Sequence, residues 1–115
     1  MDYVIEYDGV PVGLVGLLAI DHFHHKAELY ISMGEVAYKR RGVATTAIQM
    51  LLEYGFEHLH LHKIYLNTDG DNYPAHRLFE KVGFVREGYF KDDMIHRGRY
   101  IDRIRYSVFA DAKDL

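Results

Sequence analysis

The chain contains no cysteine. That excludes disulfides, thiolate metal sites and any mechanism that parks an acyl group on a cysteine. It also has no surplus of positive charge. The formal net charge of −3 over 115 residues argues against a generic nucleic-acid binder, whose footprint would be strongly basic. No apolar run approaches the roughly 20 residues needed to span a bilayer, and nothing at the start resembles a signal peptide. The expected partners therefore include neither nucleic acid nor membrane, and the expected location is the cytoplasm. Internal repeats, linkers and low-complexity segments are missing too, so residues 1–115 are expected to form one domain. Nearly half the residues are apolar and 14% are aromatic, enough for a core that buries roughly two-thirds of the unfolded surface.

The pattern along the chain predicts strands first. Tyr3–Tyr7 is a β-type run that ends at Asp8-Gly9, a hairpin signal. The return strand covers Val12 to Ile20, with Gly13 and Gly16 as bulge or close-approach points. A histidine-rich turn, residues 21–26, leads to a third strand from Ala27 to Met33. A helix is predicted from about Gly42 to His58, because Val43, Ala47, Ile48, Leu51, Leu52 and Gly55 recur at three- and four-residue steps. The strand Lys63–Thr68 follows. A second helix is capped by Asp71 or Asn72, carries Pro74 in its first turn and ends at Gly83. Two long strands, Phe84–Met94 and Arg99–Ala110, join near Arg97-Gly98. The expected fold is α/β (α+β): a mixed, mostly antiparallel, twisted sheet of about six strands with two main helices and a crossover at its centre.

One stretch stands out chemically. Lys39-Arg40-Arg41-Gly42-Val43-Ala44-Thr45 runs from a basic loop through a glycine into the first helix. A helix start offers unpaired N–H groups and the positive end of a dipole, and Gly42 lets the backbone come close to a ligand. With two arginines beside it, this is an anion site of the phosphate-holding kind.

That loop resembles the acyl-CoA pyrophosphate loop of the GNAT superfamily of N-acetyltransferases, [Gln/Arg]-x-x-Gly-x-[Gly/Ala], with Lys39 departing from the usual first residue. A second block extends the resemblance: Asn72-x-x-Ala75-x-x-Leu78-Phe79-Glu80-Lys81-x-Gly83-Phe84. It resembles the GNAT helix and strand that flank the pantetheine arm. The pair Ala27-Glu28 and the tail Gly98-Arg99-Tyr100-Ile101-Asp102 point to the branch of polyamine and ribosomal-protein N-terminal acetyltransferases. Against the family pattern the chain is N-terminally short: it begins where the second strand should, without the usual first strand and two helices.

The resemblance implies acetyl-CoA as cosubstrate and direct acetyl transfer to a primary amine, such as a polyamine, an amino sugar or a protein N-terminus. It implies that main-chain groups of Arg41 to Thr45 hold the pyrophosphate, with Lys39 and Arg40 at the edge of that site. Main-chain groups of Ile31, Ser32 and Met33 would pair with pantetheine and polarise the acetyl carbonyl. Asn72 would contact the pantetheine amides, or cap its helix, or both. Glu28 is the candidate general base, since a half-buried carboxylate suits that work; a strand glutamate paired with a histidine or arginine is the plainer alternative. Phe79 borders the cofactor where many relatives carry a tyrosine thought to protonate the leaving thiolate. A phenyl ring has no proton to give, so Tyr73 becomes the candidate acid, unless the thiolate leaves unassisted.

The alternating histidines, His58, His60 and His62 with His22, His24 and His25, are expected to hold no metal, because a zinc site needs three or four converging ligands. Arg103 and Arg105 share one strand face, expected to be a solvated one. A non-catalytic acyl-CoA sensor with the same fold is the rival function. Tyr3–Tyr7 is expected to form a bare sheet edge, and Val4, Leu14, Val15 and Leu17 to include uncovered apolar residues, which implies a homodimer.

Overall fold

The computed structural model describes residues 1–34 and 42–110. Strands β1 (Asp2–Tyr7), β2 (Val10–Asp21) and β3 (Lys26–Met33) form an antiparallel meander. Helix α1 (Val43–Glu57) then leads to β4 (Lys63–Asp69), which lies parallel to β3. Helix α2 (Tyr73–Val82) leads to the long hairpin of β5 (Val85–His96) and β6 (Arg99–Phe109). The strand order is β1-β2-β3-β4-β6-β5, with β3–β4 the single parallel pair. The expected six strands and two helices are present, with boundaries shifted by one or two residues.

The β1–β2 and β5–β6 hairpins turn where the sequence indicates. Asp8 and Gly9 have φ of 52° and 77°, and Arg97 and Gly98 have 51° and 76°. Two successive left-handed residues match the twist of the flanking strands. Gly13 and Gly16 are close-approach positions, and Gly13 also borders a register shift. A Cβ on Gly16 would collide with the main-chain carbonyl of Met1 and the ring of Tyr30. The register shifts of β2 lie between Pro11 and Gly13, opposite Ile5/Glu6, and between Leu18 and Asp21.

Helix α1 lays Ala44, Ile48, Leu51, Leu52 and Gly55 on one face of the sheet. There they meet Val15, Leu17, Ala27, Leu29, Ile64 and Leu66 in one core that continues to Phe79, Phe84, Ile104 and Tyr106. At roughly 25 cal/mol per Å² of apolar area, this cluster is the main source of stability. Of the four residues expected to include uncovered ones, Val4 and Leu14 are exposed, whereas Val15 and Leu17 are not. They are 4% and 0% exposed, because their parity on β2 points them at α1. Val4, Leu14 and Leu18, on the opposite face, are exposed. That opposite, helix-free face is the open face of the sheet.

Candidate active site

The parallel ladder between β3 and β4 is short. It holds three residue pairs, Lys26 with Lys63, Ala27 with Ile64 and Glu28 with Tyr65, and ends there. Beyond it, Leu29–Met33 stays paired with β2, and Leu66–Asp69 stays paired with β6. The sheet therefore splits down its centre. Each strand keeps one edge of N–H and C=O groups without a ladder partner, which is a slot fit for an extended chain of amides.

Both helices begin at the open end of this split. Helix α1 starts at Gly42, whose φ of 75° is left-handed and whose missing Cβ faces open space. The first intrahelical bond among the described residues is Thr46 N–H to the Gly42 carbonyl, at 3.0 Å. Val43, Ala44 and Thr45 thus direct first-turn N–H groups out of the helix end, where an anion is favoured. Lys39, Arg40 and Arg41 lie outside the described residues.

Helix α2 starts after β4 and is tied to it. Asn72 Oδ1 accepts from the Ala75 N–H at 3.3 Å, so the capping half of its expected role is met. An amide that accepts through oxygen still has its NH₂ to donate. Pro74 lies in the first turn, and Gly83 closes the helix at φ 115°. A residue that sequence reasoning missed completes the tie. His76 is 5% exposed, and its Nε2–H donates to the Asp69 carbonyl at 2.9 Å. Tyr73 stands exposed at the first helical position, edge-on to His76. Phe79 is buried edge-to-face against Phe84 and tilted on Tyr106. Six residues separate Tyr73 from Phe79, about 240° around the helix, so the two side chains leave it in different directions.

Glu28 occupies the last rung before the split. It points to the open face, between Leu18 of β2 and Tyr65 of β4. It is half-buried and makes no hydrogen bond or ion pair with the described residues, so the structural pairing with histidine or arginine is not found there. Carboxylates kept partly from water without a partner are uncommon, because desolvation is then uncompensated. On β3 past that rung, Ser32 faces outward, whereas Ile31 and Met33 pack partly into the core. Among the described residues, no three histidine or acidic side chains gather as a metal site.

Two further networks flank the split. Tyr106, fully buried, donates to Glu80 at 2.6 Å and accepts from Arg86 at 3.3 Å; burial first, then the Glu80 bond, pushes its hydroxyl pKa up. On the open face, Lys63 donates to Glu87 at 2.8 Å and Ser107 donates to its other oxygen. Those bonds, Lys63 foremost, hold the Glu87 carboxyl below its usual range.

Known proteins show the same arrangement. The model of the Acetyltransferase (GNAT) family matches residues 1–84. A spermidine N(1)-acetyltransferase from Escherichia coli K12 is 37% identical over 107 residues, which cover 93% of this chain and 57% of that protein. One from Vibrio cholerae is 40% identical over 91 residues, 79% of this chain and 52% of the relative. The chain therefore spans about half the length of these relatives. Among solved structures, a mutant of the Vibrio cholerae spermidine N-acetyltransferase SpeG superimposes with a TM-score of 0.88 at 35% identity, over 96% of this chain and 65% of that one. With a slot for an extended amide chain, a helix start for an anion and a family match over most of its length, this chain belongs to the GNAT acetyltransferase family.

Proposed function

We propose that the chain carries out acetyl-CoA-dependent N-acetylation of a primary amine, by direct attack on the thioester at the β3–β4 split. The observation that carries this reading is the unpaired Glu28 carboxylate on the last rung before the strands part. The names of the spermidine acetyltransferases it resembles support an amine acceptor.

In this reading Gly42 to Thr45, with Lys39, Arg40 and Arg41, receive the pyrophosphate. The free edge of Ile31 to Met33 and the Asn72 amide line the pantetheine arm. Glu28 takes a proton from the bound ammonium, directly or through a water, and the neutral amine so freed attacks the thioester carbon as the new N–C bond forms. Main-chain N–H groups of β3 stabilise the oxyanion before the C–S bond breaks. The sulfur leaves as thiolate, acidic enough to do so near neutral pH, and the exposed Tyr73 hydroxyl is available to reprotonate it.

A second reading is favoured by Phe79, whose buried ring supplies no proton: a non-catalytic acyl-CoA sensor. Thermal shift with acetyl-CoA, then thiol release over a panel of amines, separates the two. Stabilisation with thiol release is expected. Stabilisation without release would mark the sensor, and no stabilisation would remove both readings.

We place the protein in the cytoplasm as a homodimer. Strand β1 is a sheet edge. Beside it lies a cavity of about 760 Å³ between β1 and α1, lined by Tyr3, Ile5, Tyr7, Met50 and Tyr54 among others. A second copy would cover both the edge and that apolar wall.

A further inference from the structure

The open face carries a feature that acetyl transfer by itself does not use. Arg103 and Arg105 lie two apart on β6, on the same face as Glu28, opposite Asp69 and Asn67 of β4. The Arg105 guanidinium sits 4.4 Å from the Tyr65 ring centroid and 5.5 Å from that of Phe90. Its Nε–H donates to Asn67 Oδ1 at 3.0 Å. Its four Nη hydrogens have no acceptor among the described residues. Arg103 donates from Nη1 to the Met94 sulfur, a weak acceptor, and its buried Nε has no partner among the described residues. Arg105 is thus held by two rings and an amide and Arg103 by a thioether, and both half-buried guanidinium groups keep most of their donors unused among the described residues. The acids facing them do not take those donors. Glu87 is engaged by Lys63 and Ser107, and neither Asp69 nor Glu28 forms an ion pair with either arginine.

We infer that this pair is the anion-recognition end of the acceptor site, and that the preferred acceptor is a primary amine that also carries a carboxylate or phosphate. The inference rests on the transferase reading for the position of the amine at Glu28. Tyr65 is the strand neighbour of Glu28, about 5 Å away at the backbone, and Arg105 lies over its ring. An acceptor whose nitrogen meets Glu28 therefore reaches the guanidinium groups with an anion roughly 5–10 Å from that nitrogen. Guanidinium binds planar carboxylate and phosphate groups in a two-pronged fashion, and it does so more strongly where water is partly excluded. The same charges disfavour a polyamine: the aromatic pair that would receive a second ammonium already encloses Arg105.

The test is calorimetric binding to the full chain saturated with coenzyme A. The probes are the tripeptide Ala-Asp-Asp, its neutral counterpart Ala-Asn-Asn with an amidated end, glucosamine 6-phosphate, glucosamine and spermidine. Expected is at least tenfold tighter binding of one or both anionic amines than of their neutral partners, shrinking at high salt. The two pairs of probes distinguish a carboxylate from a phosphate source. In Arg103→Gln/Arg105→Gln the preference should fall to within about twofold, with Arg105→Lys recovering part of it. If the double variant does not fold, the wild-type ratio and its salt dependence decide. Equal binding of charged and neutral probes, tighter binding of spermidine than of either anionic amine, or a preference that survives both substitutions would overturn the inference. Anionic preference without thiol release would leave it standing and remove the transferase reading; thiol release without preference would do the reverse.

Discussion

Glu28 and Tyr65 face one another across the last pair of the parallel ladder, and the strands part immediately beyond them. In the proposed reaction this one relationship would set the base beside the slot for the thioester, with the acceptor approaching from the open face.

The start of α1 is the first place to test. Gly42 has a left-handed φ with nothing within 4 Å of an added Cβ, so a substitution there is opposed by the backbone and not by crowding. A β-branched side chain is poorly tolerated in that region. Gly42→Val is expected to weaken acetyl-CoA binding at least tenfold by calorimetry, and Gly42→Ala less. Wild-type affinity in the valine variant would move the phosphates elsewhere.

Gly16 is the opposite case, since an added Cβ there meets the Met1 carbonyl and the Tyr30 ring. Overpacking of this kind costs about 1–3 kcal/mol. Gly16→Ala should lower the melting temperature by several degrees. It should also disturb Tyr30, two residues along from Glu28.

Much of the fold was legible because its signals are local. Asp8-Gly9, Arg97-Gly98, the Asn72 cap, Pro74 and Gly83 each act within a few residues, and each appears where the sequence places it. The buried face of β2 was not legible. Val12 to Ile20 is apolar at both parities, so alternation cannot say which side meets α1, nor which of Leu14, Val15 and Leu17 the helix covers. The Glu28 candidate came from family resemblance, and the structure adds its lack of a partner. His76 bonding to Asp69 and Arg105 stacking on Tyr65 depend on cross-element register, which no single segment encodes. Period-two spacing of Tyr65, Asn67 and Asp69 on one strand was the available hint.

Asp21 supplies a pH-dependent prediction away from the site. Hydrogen bonds from the His24 backbone and ring, with a smaller contribution from the Phe23 N–H, lower its carboxyl pKa to about 2. A depressed carboxyl pKa stabilises the fold above the unfolded value near 4, and that contribution is lost as pH falls from about 4 through 2. Asp21→Asn should therefore flatten the acid-unfolding profile in that window relative to wild type. Identical profiles would show that the turn contributes nothing.

Phe79 tests how the thiolate departs. Its ring is packed on Phe84 and Tyr106. If the sulfur leaves unassisted, Phe79→Tyr changes kcat by less than about threefold. A gain of tenfold or more, about 1.4 kcal/mol in barrier, would show that protonation of the leaving group limits the native reaction.

Self-association is checked by light scattering at low micromolar concentration, with a dimer expected. Ile5 is 7% exposed and its replacement by lysine would injure the core, whereas Val4 is 58% exposed on the same edge strand. Val4→Lys should weaken the dimer while the fold survives. A compact monomer of the wild-type chain would end that proposal.

The central claim is that Glu28 accepts the proton as the amine attacks the thioester. It is tested most directly by the turnover of Glu28→Gln at pH 7.5 with saturating acetyl-CoA and an amine that the wild-type chain acetylates. Loss of a positioned base typically removes 10²–10⁴ of rate, so kcat should fall at least about a hundredfold while acetyl-CoA affinity stays within twofold. Unchanged turnover in that variant would contradict the account.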